Sequence, residues 1–277
     1  MIESLTALLP GDRVFTGDVH LAAYESDGLT AFKTKPRAVV VPETGEEVIK
    51  VVRWCHQNGV PFVARGSGTS LSGGSLPVEE GIVITLNRMN RILEVDPVDR
   101  VAVVEPGVIN LDVSRAADQY GLHFAPDPSS QTICTIGGNV AENSGGPHTL
   151  KYGTTTNHVL AVEMVLPDGA VTRLGSATGY SPGYDLVGAA VGSEGTLGIV
   201  TEITVRLSAI PEAIETLLAI FDSVAAACRL VGGIIRSGMV PAALEVVDQR
   251  TIRAVEASVY AAGLPTCLLY TSPRPRD

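Results

Sequence analysis

Residues 36–74 read PRAVVVPETGEEVIKVVRWCHQNGVPFVARGSGTSLSGG, and the period of the apolar residues changes within them. Ala38 to Val41 form a β-branched run, whereas Val48, Val51, Val52 and Cys55 recur at helical spacing, so the stretch predicts a strand followed by a helix. Thr44 stands three residues before Glu47, the spacing of a capping box, and Gly59 followed by Pro61 closes the helix. A second strand, Pro61 to Ala64, runs straight into ARGSGTSLSGG, Ala64 to Gly74. Four glycines and four hydroxyl residues in so short a loop let backbone N–H groups converge on an anion, because glycine accepts the positive φ that such concave loops need.

Working outward, GIVITLNRMNRILEVDPVDRVAVVEPGV predicts two or three strands divided by turns at Asn90 and at Asp96 to Asp99. Asn110 to Tyr120 reads as a helix capped by Asn110 and ended by Gly121. Val162 to Leu166 and Val171 to Leu174 flank an Asp168-Gly169 hairpin turn, and a Thr/Val/Ile alternation makes GTLGIVTEITVRLSAIP a strand ended by Pro211. The fold class is α+β, mixed sheets with short helices, and not a regular βαβαβ succession. At Ile210–Pro211 the composition shifts. The following residues lack glycine clusters and predict a strand, a helix, and a strand leading into another helix, the opening of a second domain. The last residues, from Cys267 onward, neither continue that helix nor begin a strand.

Composition narrows the function classes. With 277 residues, 45% of them hydrophobic and only 18% charged, the chain buries a sizeable core and is not disordered. A net charge of −10 with no Lys/Arg run excludes nucleic acid as a partner. No transmembrane segment is predicted, because no apolar stretch approaches the roughly 18 residues of a spanning helix, and Glu3 stands where a signal peptide needs positive charge. Cys55, Cys134, Cys228 and Cys267 are scattered without metal or disulfide spacing, which fits a cytoplasmic chain. The five histidines are equally dispersed, and no metal site is read.

Two further glycine clusters change the weight of the first. PDPSSQTICTIGGNVAENSGG spans Pro126 to Gly146, and VGSEGTLGIV spans Val191 to Val200. One such loop is an ordinary surface feature, but three in succession are strong evidence for a bound phosphate. The Rossmann fingerprint fails because Leu71 stands in place of its third glycine, and the P-loop fails because Gly73 is followed by Gly74-Ser75 rather than Lys-Ser/Thr.

With these motifs and with KYG at 151–153, residues 36 to 210 resemble the FAD-binding domain of the vanillyl-alcohol oxidase and p-cresol methylhydroxylase flavoprotein superfamily, in its glycolate oxidase large subunit and D-lactate dehydrogenase branch. The resemblance implies two α+β subdomains with FAD between them, followed by the start of an α+β cap domain. Carried over motif by motif, Arg65, Gly66, Ser67, Gly68, Thr69, Ser70 and Gly73 would wrap the pyrophosphate. Pro126, Asp127 and Pro128 would line the ribityl or isoalloxazine region. Thr135, Gly137, Gly138 and Asn139 would approach flavin and phosphates, with Asn143, Ser144, Gly145 and Gly146 continuing that wall. Glu194, Gly195, Ile199 and Val200 would meet the adenosine end. Many relatives attach the flavin through a histidine in the first loop. Gly68-Thr69-Ser70 offers none, so binding is expected to be non-covalent.

The branch further implies hydride transfer from a small 2-hydroxy acid to flavin N5, with electrons passing to an iron–sulfur subunit, a quinone or a cytochrome, and a cytoplasmic location peripheral to the inner membrane through that partner. The family's histidine-rich G-D-G-N-x-H motif is missing, so no catalytic residue is assigned. Expected boundaries are an N-terminal segment 1–35, the FAD-binding domain 36–210, an incomplete cap 211–266, and a non-native tail 267–277 that resembles translated adapter sequence, the family register breaking after Thr266. Two other readings stay open: a non-catalytic flavin-binding subunit, and a reductase of the UDP-N-acetylenolpyruvoylglucosamine type.

Overall fold

The structure is a computed structural model that describes residues 2–264 and 269–271. It divides into two compact units. The first holds the residues up to Ser144 together with Thr154–Ile210, and the second holds Gly145–Gly153 and the chain from Pro211 onward.

In the first unit, after a short helix α1 (Ile2–Thr6), come strand β1 (Val14–Phe15), helix α2 (Asp18–Ala22), strand β2 (Ala38–Val40), helix α3 (Gly45–Asn58) and strands β3 (Phe62–Arg65) and β4 (Ile82–Thr85). The strand–helix–strand expectation holds, but β2 and β3 are not neighbours. The sheet order is β1-β2-β4-β3, with β4 inserted parallel to both and β1 antiparallel at the edge. Thr44 caps α3 by accepting from Glu47 N, and Gly59 ends it with φ +63°. Only half of the capping box forms, because the Glu47 carboxylate accepts instead from Glu43 N and from both terminal nitrogens of the buried Arg13. The apolar face of α3 (Val48, Val51, Val52, Cys55) packs on this sheet and reaches Val165 and Ile199 of the next one.

The second sheet of this unit is built from β5 (Ile92–Asp96), β6 (Val101–Val104), β8 (Val159–Val165), β9 (Val171–Gly175) and β10 (Ile199–Arg206) in the order β5-β6-β10-β8-β9, every pair antiparallel. A two-residue strand β7 (Leu122–His123) pairs apart from it with β11 (Ser208–Ala209). Helices α4 (Asn110–Ala117), α5 (Ile136–Glu142) and α7 (Leu186–Ala190) supply Val113, Ile136, Val140 and Ala190 to its core. Asn110 is not the cap of α4. Ile109 occupies that position, and the buried Asn110 amide donates to Pro126 O at 3.0 Å.

The second unit contains α6 (Thr149–Tyr152), β12 (Ala219–Phe221), α8 (Val224–Arg236), β13 (Val246–Val247), α9 (Gln249–Glu256) and β14 (Leu269–Thr271). The expected strand, helix, strand, helix succession after Pro211 is present. Contrary to expectation, a strand also lies within 267–277: β14 is the middle of a three-stranded sheet ordered β12-β14-β13. The rest of that tail lies outside the described residues.

Ile203 sits fully buried in β10, the strand between β6 and β8. Ile203→Ala is expected to cost about 2–5 kcal/mol, read from urea unfolding. Burial pushes the Glu47 carboxyl up, but Arg13 and the Glu43 N–H outweigh it and hold it below the usual carboxylate range. Its contribution is therefore present above the ordinary glutamate value of about 4.3 and is lost as pH falls through the lower folded value. Thermal melts from pH 6 down to 3 are expected to show an acid-side loss of stability that is shallower in Arg13→Met.

Candidate functional site

The glycine loop leaves β3 at Arg65 and passes along a cleft of about 540 Å³ whose other walls are α5 and the segment leading into β10. That volume lies inside the range of about 300–1,000 Å³ common for small-molecule sites. The N–H groups of Ser67, Gly68, Thr69, Ser70 and Leu71 donate to no other protein atom. Successive amides without a protein acceptor along a cleft wall are available to an anionic ligand.

Arg65 holds this loop from beneath. Its side chain is buried, its Nη1 donates to Ser26 O (2.8 Å) and Ser75 O (3.4 Å), and its guanidinium lies 5.5 Å from the centre of the Tyr24 ring. Burial lowers its pKa, opposed by Asp27 and Tyr24, and an arginine stays charged nonetheless. Gly68 lies over that guanidinium with φ +68°, and a Cβ there would collide with Arg65 Nη2. Ser67 Oγ ties the loop to the second cluster by donating to Ile133 O at 2.6 Å.

At the start of α5, Thr135 Oγ1 accepts from Gly138 N, Gly137 N donates to Pro106 O and Ile136 N to Val108 O. The first amides of this helix are thus used within the protein. A Cβ at Gly137 would lie 2.6 Å from Pro106 Cβ, so glycine is required there by the packing of α5. Asn139 is 1% exposed and lines the cleft, and its Nδ2 has no oxygen or nitrogen partner. Its amide lies beside the Cys134 thiol, whose pKa burial raises against the opposing effects of Ser130 and Asn139.

The third cluster is pinned to the end of α5, Gly192 N donating to Val140 O and Glu194 N to Ala141 O, each at 2.8 Å. Two carboxylates stand at this side of the cleft. Glu142 accepts from Ser70 Oγ (2.9 Å) and Ser72 Oγ (2.7 Å), while Glu194 adopts a left-handed φ of +52°.

Of the residues singled out from sequence, Arg65, Gly66, Ser67, Gly68, Thr69, Ser70, Thr135, Gly137, Gly138, Asn139, Ser144, Glu194, Gly195, Ile199 and Val200 all line this one cleft. Gly73, Pro126, Asp127, Pro128 and Asn143 are not among its lining residues. Gly73 takes φ +82°, Pro126 O and Pro128 O accept from Asn110 and Gln131, and Asn143 ends α5 with its Oδ1 accepting from Thr156 N. Gly145 and Gly146 belong to the second unit. Sequence reading passed over Glu142, Pro106 and Leu86, which also line the cleft. Glu142 sat within the quoted motif, between an alanine and an asparagine that drew more attention to the glycines around it.

Backbone amides without protein acceptors on one side of the cleft and an apolar wall of Leu86, Pro106 and Ile199 on the other suit a phosphate-bearing ligand with a flat apolar part. Comparison with known proteins narrows the class. The family described as "FAD binding domain" matches residues 36–175, and the one described as "FAD linked oxidases, C-terminal domain" matches residues 186–272, which carries the family register past Thr266. The chain belongs to the FAD-binding domain family, and FAD is its cofactor.

The glycolate oxidase subunit GlcD of Escherichia coli (strain K12) is 46% identical over 261 residues, covering 94% of this chain and 52% of that protein. GlcD of Bacillus subtilis (strain 168) is 46% identical over 245 residues, covering 88% and 52%. D-lactate dehydrogenase of Archaeoglobus fulgidus is 42% identical over 221 residues, covering 79% and 49%. The chain spans about half the length of the curated relatives it matches. A solved structure of alkyldihydroxyacetonephosphate synthase shares the fold, with a TM-score of 0.81 at 23% identity over 98% of this chain and 54% of that one.

The residues present fit FAD. The free amides of Ser67 to Leu71 would hold the pyrophosphate, and the Asn139 amide, which has no oxygen or nitrogen partner, would offer a polar anchor beside an apolar wall. Gly68→Val forces an L side chain into a conformation costing about 1–2 kcal/mol and displaces Arg65. A flavin-fluorescence titration is expected to show FAD binding weakened about tenfold or more, with the circular dichroism spectrum retained.

Proposed function

We propose that this chain supplies the FAD-binding half of an oxidoreductase that converts a small 2-hydroxy acid, of the glycolate or D-lactate type, to the 2-oxo acid. The observation that carries the reading is the run of unsatisfied amides from Ser67 to Leu71 along the cleft. The relatives named as glycolate oxidase subunits and D-lactate dehydrogenases support the substrate class. Bound FAD supplies the hydride acceptor.

The chain's own part is binding and orientation. The loop amides neutralise the pyrophosphate, Asn139 fixes a polar edge, and Glu194, Gly195, Ile199 and Val200 flank the adenosine end. Pro126, Asp127 and Pro128 do not line the cleft and are given no part in holding the cofactor. No histidine occurs between Arg65 and Gly74, which supports non-covalent attachment. The boundary between the FAD-binding part and the start of the cap is taken at Ile210–Pro211. The partner is an iron–sulfur electron-transfer subunit through which a cytoplasmic enzyme sits at the inner membrane. No helix among the described residues is long and apolar enough to cross a membrane.

Acid precipitation of the purified chain is expected to release a yellow supernatant with the absorbance of FAD, leaving the pellet colourless. A folded chain that stays colourless and takes up no added FAD overturns the reading, and flavin retained in the pellet overturns non-covalent binding. Extending the chain with the C-terminal half of the Escherichia coli relative and assaying dye reduction with glycolate and D-lactate tests the substrate class.

A further inference from the structure

The end of the glycine loop is held by a carboxylate that has no cationic partner. Glu142, the last residue of α5, receives Ser70 Oγ at 2.9 Å on one oxygen and Ser72 Oγ at 2.7 Å on the other. The two hydroxyl oxygens lie 2.7 Å apart, and Ser72 N donates to Ser70 Oγ at 3.2 Å, so the four groups form a closed set of bonds. No lysine or arginine pairs with Glu142 among the described residues, and Arg65 is the only cation lining the cleft. The bonds join positions 72 and 70 residues apart in sequence, tying the loop that follows the first sheet to the helix that covers the second.

An unpaired carboxylate beside an anion cradle is electrostatically unfavourable once phosphate arrives. Two opposite consequences are conceivable from charge alone, and the bonding decides between them. If Glu142 competed with phosphate for serine donors, removing its charge would tighten binding. Each serine hydroxyl carries a single proton, however, and both hydroxyls reach the carboxylate, whereas the amides of Ser67 to Leu71 are already free for the ligand. The phosphate donors and the Glu142 donors are therefore separate sets. A charge-assisted pair of hydrogen bonds spanning the two half-sheets then acts to hold the loop in the shape that aims its amides into the cleft.

We propose that Glu142 is a positioning residue: through Ser70 and Ser72 it fixes the glycine loop in its phosphate-accepting conformation, and the two serines serve the loop instead of contacting phosphate. This rests on the reading of the cleft as the FAD site. Glu142→Gln keeps the size of the side chain but replaces two charge-assisted bonds with neutral ones, one accepted and one donated by the amide. It is expected to weaken FAD binding by about tenfold with an unchanged melting temperature of the ligand-free chain. Ser70→Ala with Ser72→Ala is expected to weaken it similarly, and the triple variant to be no worse than either, because all three changes remove one device.

Tighter binding in Glu142→Gln, no change, or losses that add in the triple variant would each overturn the proposal; the first means competition, and the last means that the serines hold the ligand themselves. Amide hydrogen exchange of the ligand-free 277-residue chain gives a second measurement without FAD. Exchange at Ser67 to Leu71 is expected to quicken about tenfold in Glu142→Gln, and unchanged exchange there sinks the idea. Should the unaltered chain bind no FAD, the cofactor site falls while the exchange experiment still decides the role of Glu142. If Glu142→Gln fails to fold, Ser72→Ala removes the same bond from the loop side and is read in the same way.

Discussion

Folded chains seldom leave backbone amides without acceptors, since each costs roughly a hydrogen bond when water is kept away. In the first unit of this protein the N–H groups of Ser67 to Leu71 have no protein acceptor along one wall of the cleft. Much of the surrounding structure serves to keep that segment from collapsing onto itself. Arg65 is buried beneath it and bonded to two carbonyls, Ser67 Oγ is anchored on Ile133 O, and Glu142 gathers the hydroxyls of Ser70 and Ser72. Arg65, the cation that lines the cleft, lies buried beneath the loop.

The two half-sheets divide the labour. The first, with its three parallel strands, delivers the loop at the end of β3, where a short apolar strand gives way to glycine. The second, wholly antiparallel, presents α5 and the turn before β10. Helix α5 is fixed by Gly137 packing against Pro106 and by its first amides bonding to Pro106, Val108 and Thr135. Its role at the cleft is therefore shape and side chains, Asn139 and Glu142 above all, while the loop provides the donors.

Several elements were legible in sequence because their causes are local. The change from a β-branched run to helical spacing between Val41 and Val48 marks strand and helix, and left-handed glycines at 59 and 121 end helices where they were expected to. The Asp168-Gly169 hairpin follows from turn chemistry. Other elements depended on distant partners. Glu47 looked like half of a capping box, but the buried Arg13 offered a stronger bond, and Asn110 looked like a cap, but the Pro126 carbonyl claimed its amide. In both cases a local preference worth about 1 kcal/mol yielded to a buried polar group that needed a partner.

By itself the sequence determined that this is an α+β chain with three glycine clusters of the kind that suits a phosphate, because glycine content, hydroxyl spacing and apolar period are written in adjacent residues. Only the tertiary structure decided that β4 inserts between β2 and β3, that Pro126 to Pro128 lie off the cleft while Pro106 and Glu142 lie on it, and that the α5 amides are spent within the protein. Those outcomes turn on which groups from distant parts of the chain come within hydrogen-bond reach, and no periodicity along the chain encodes a distance across it.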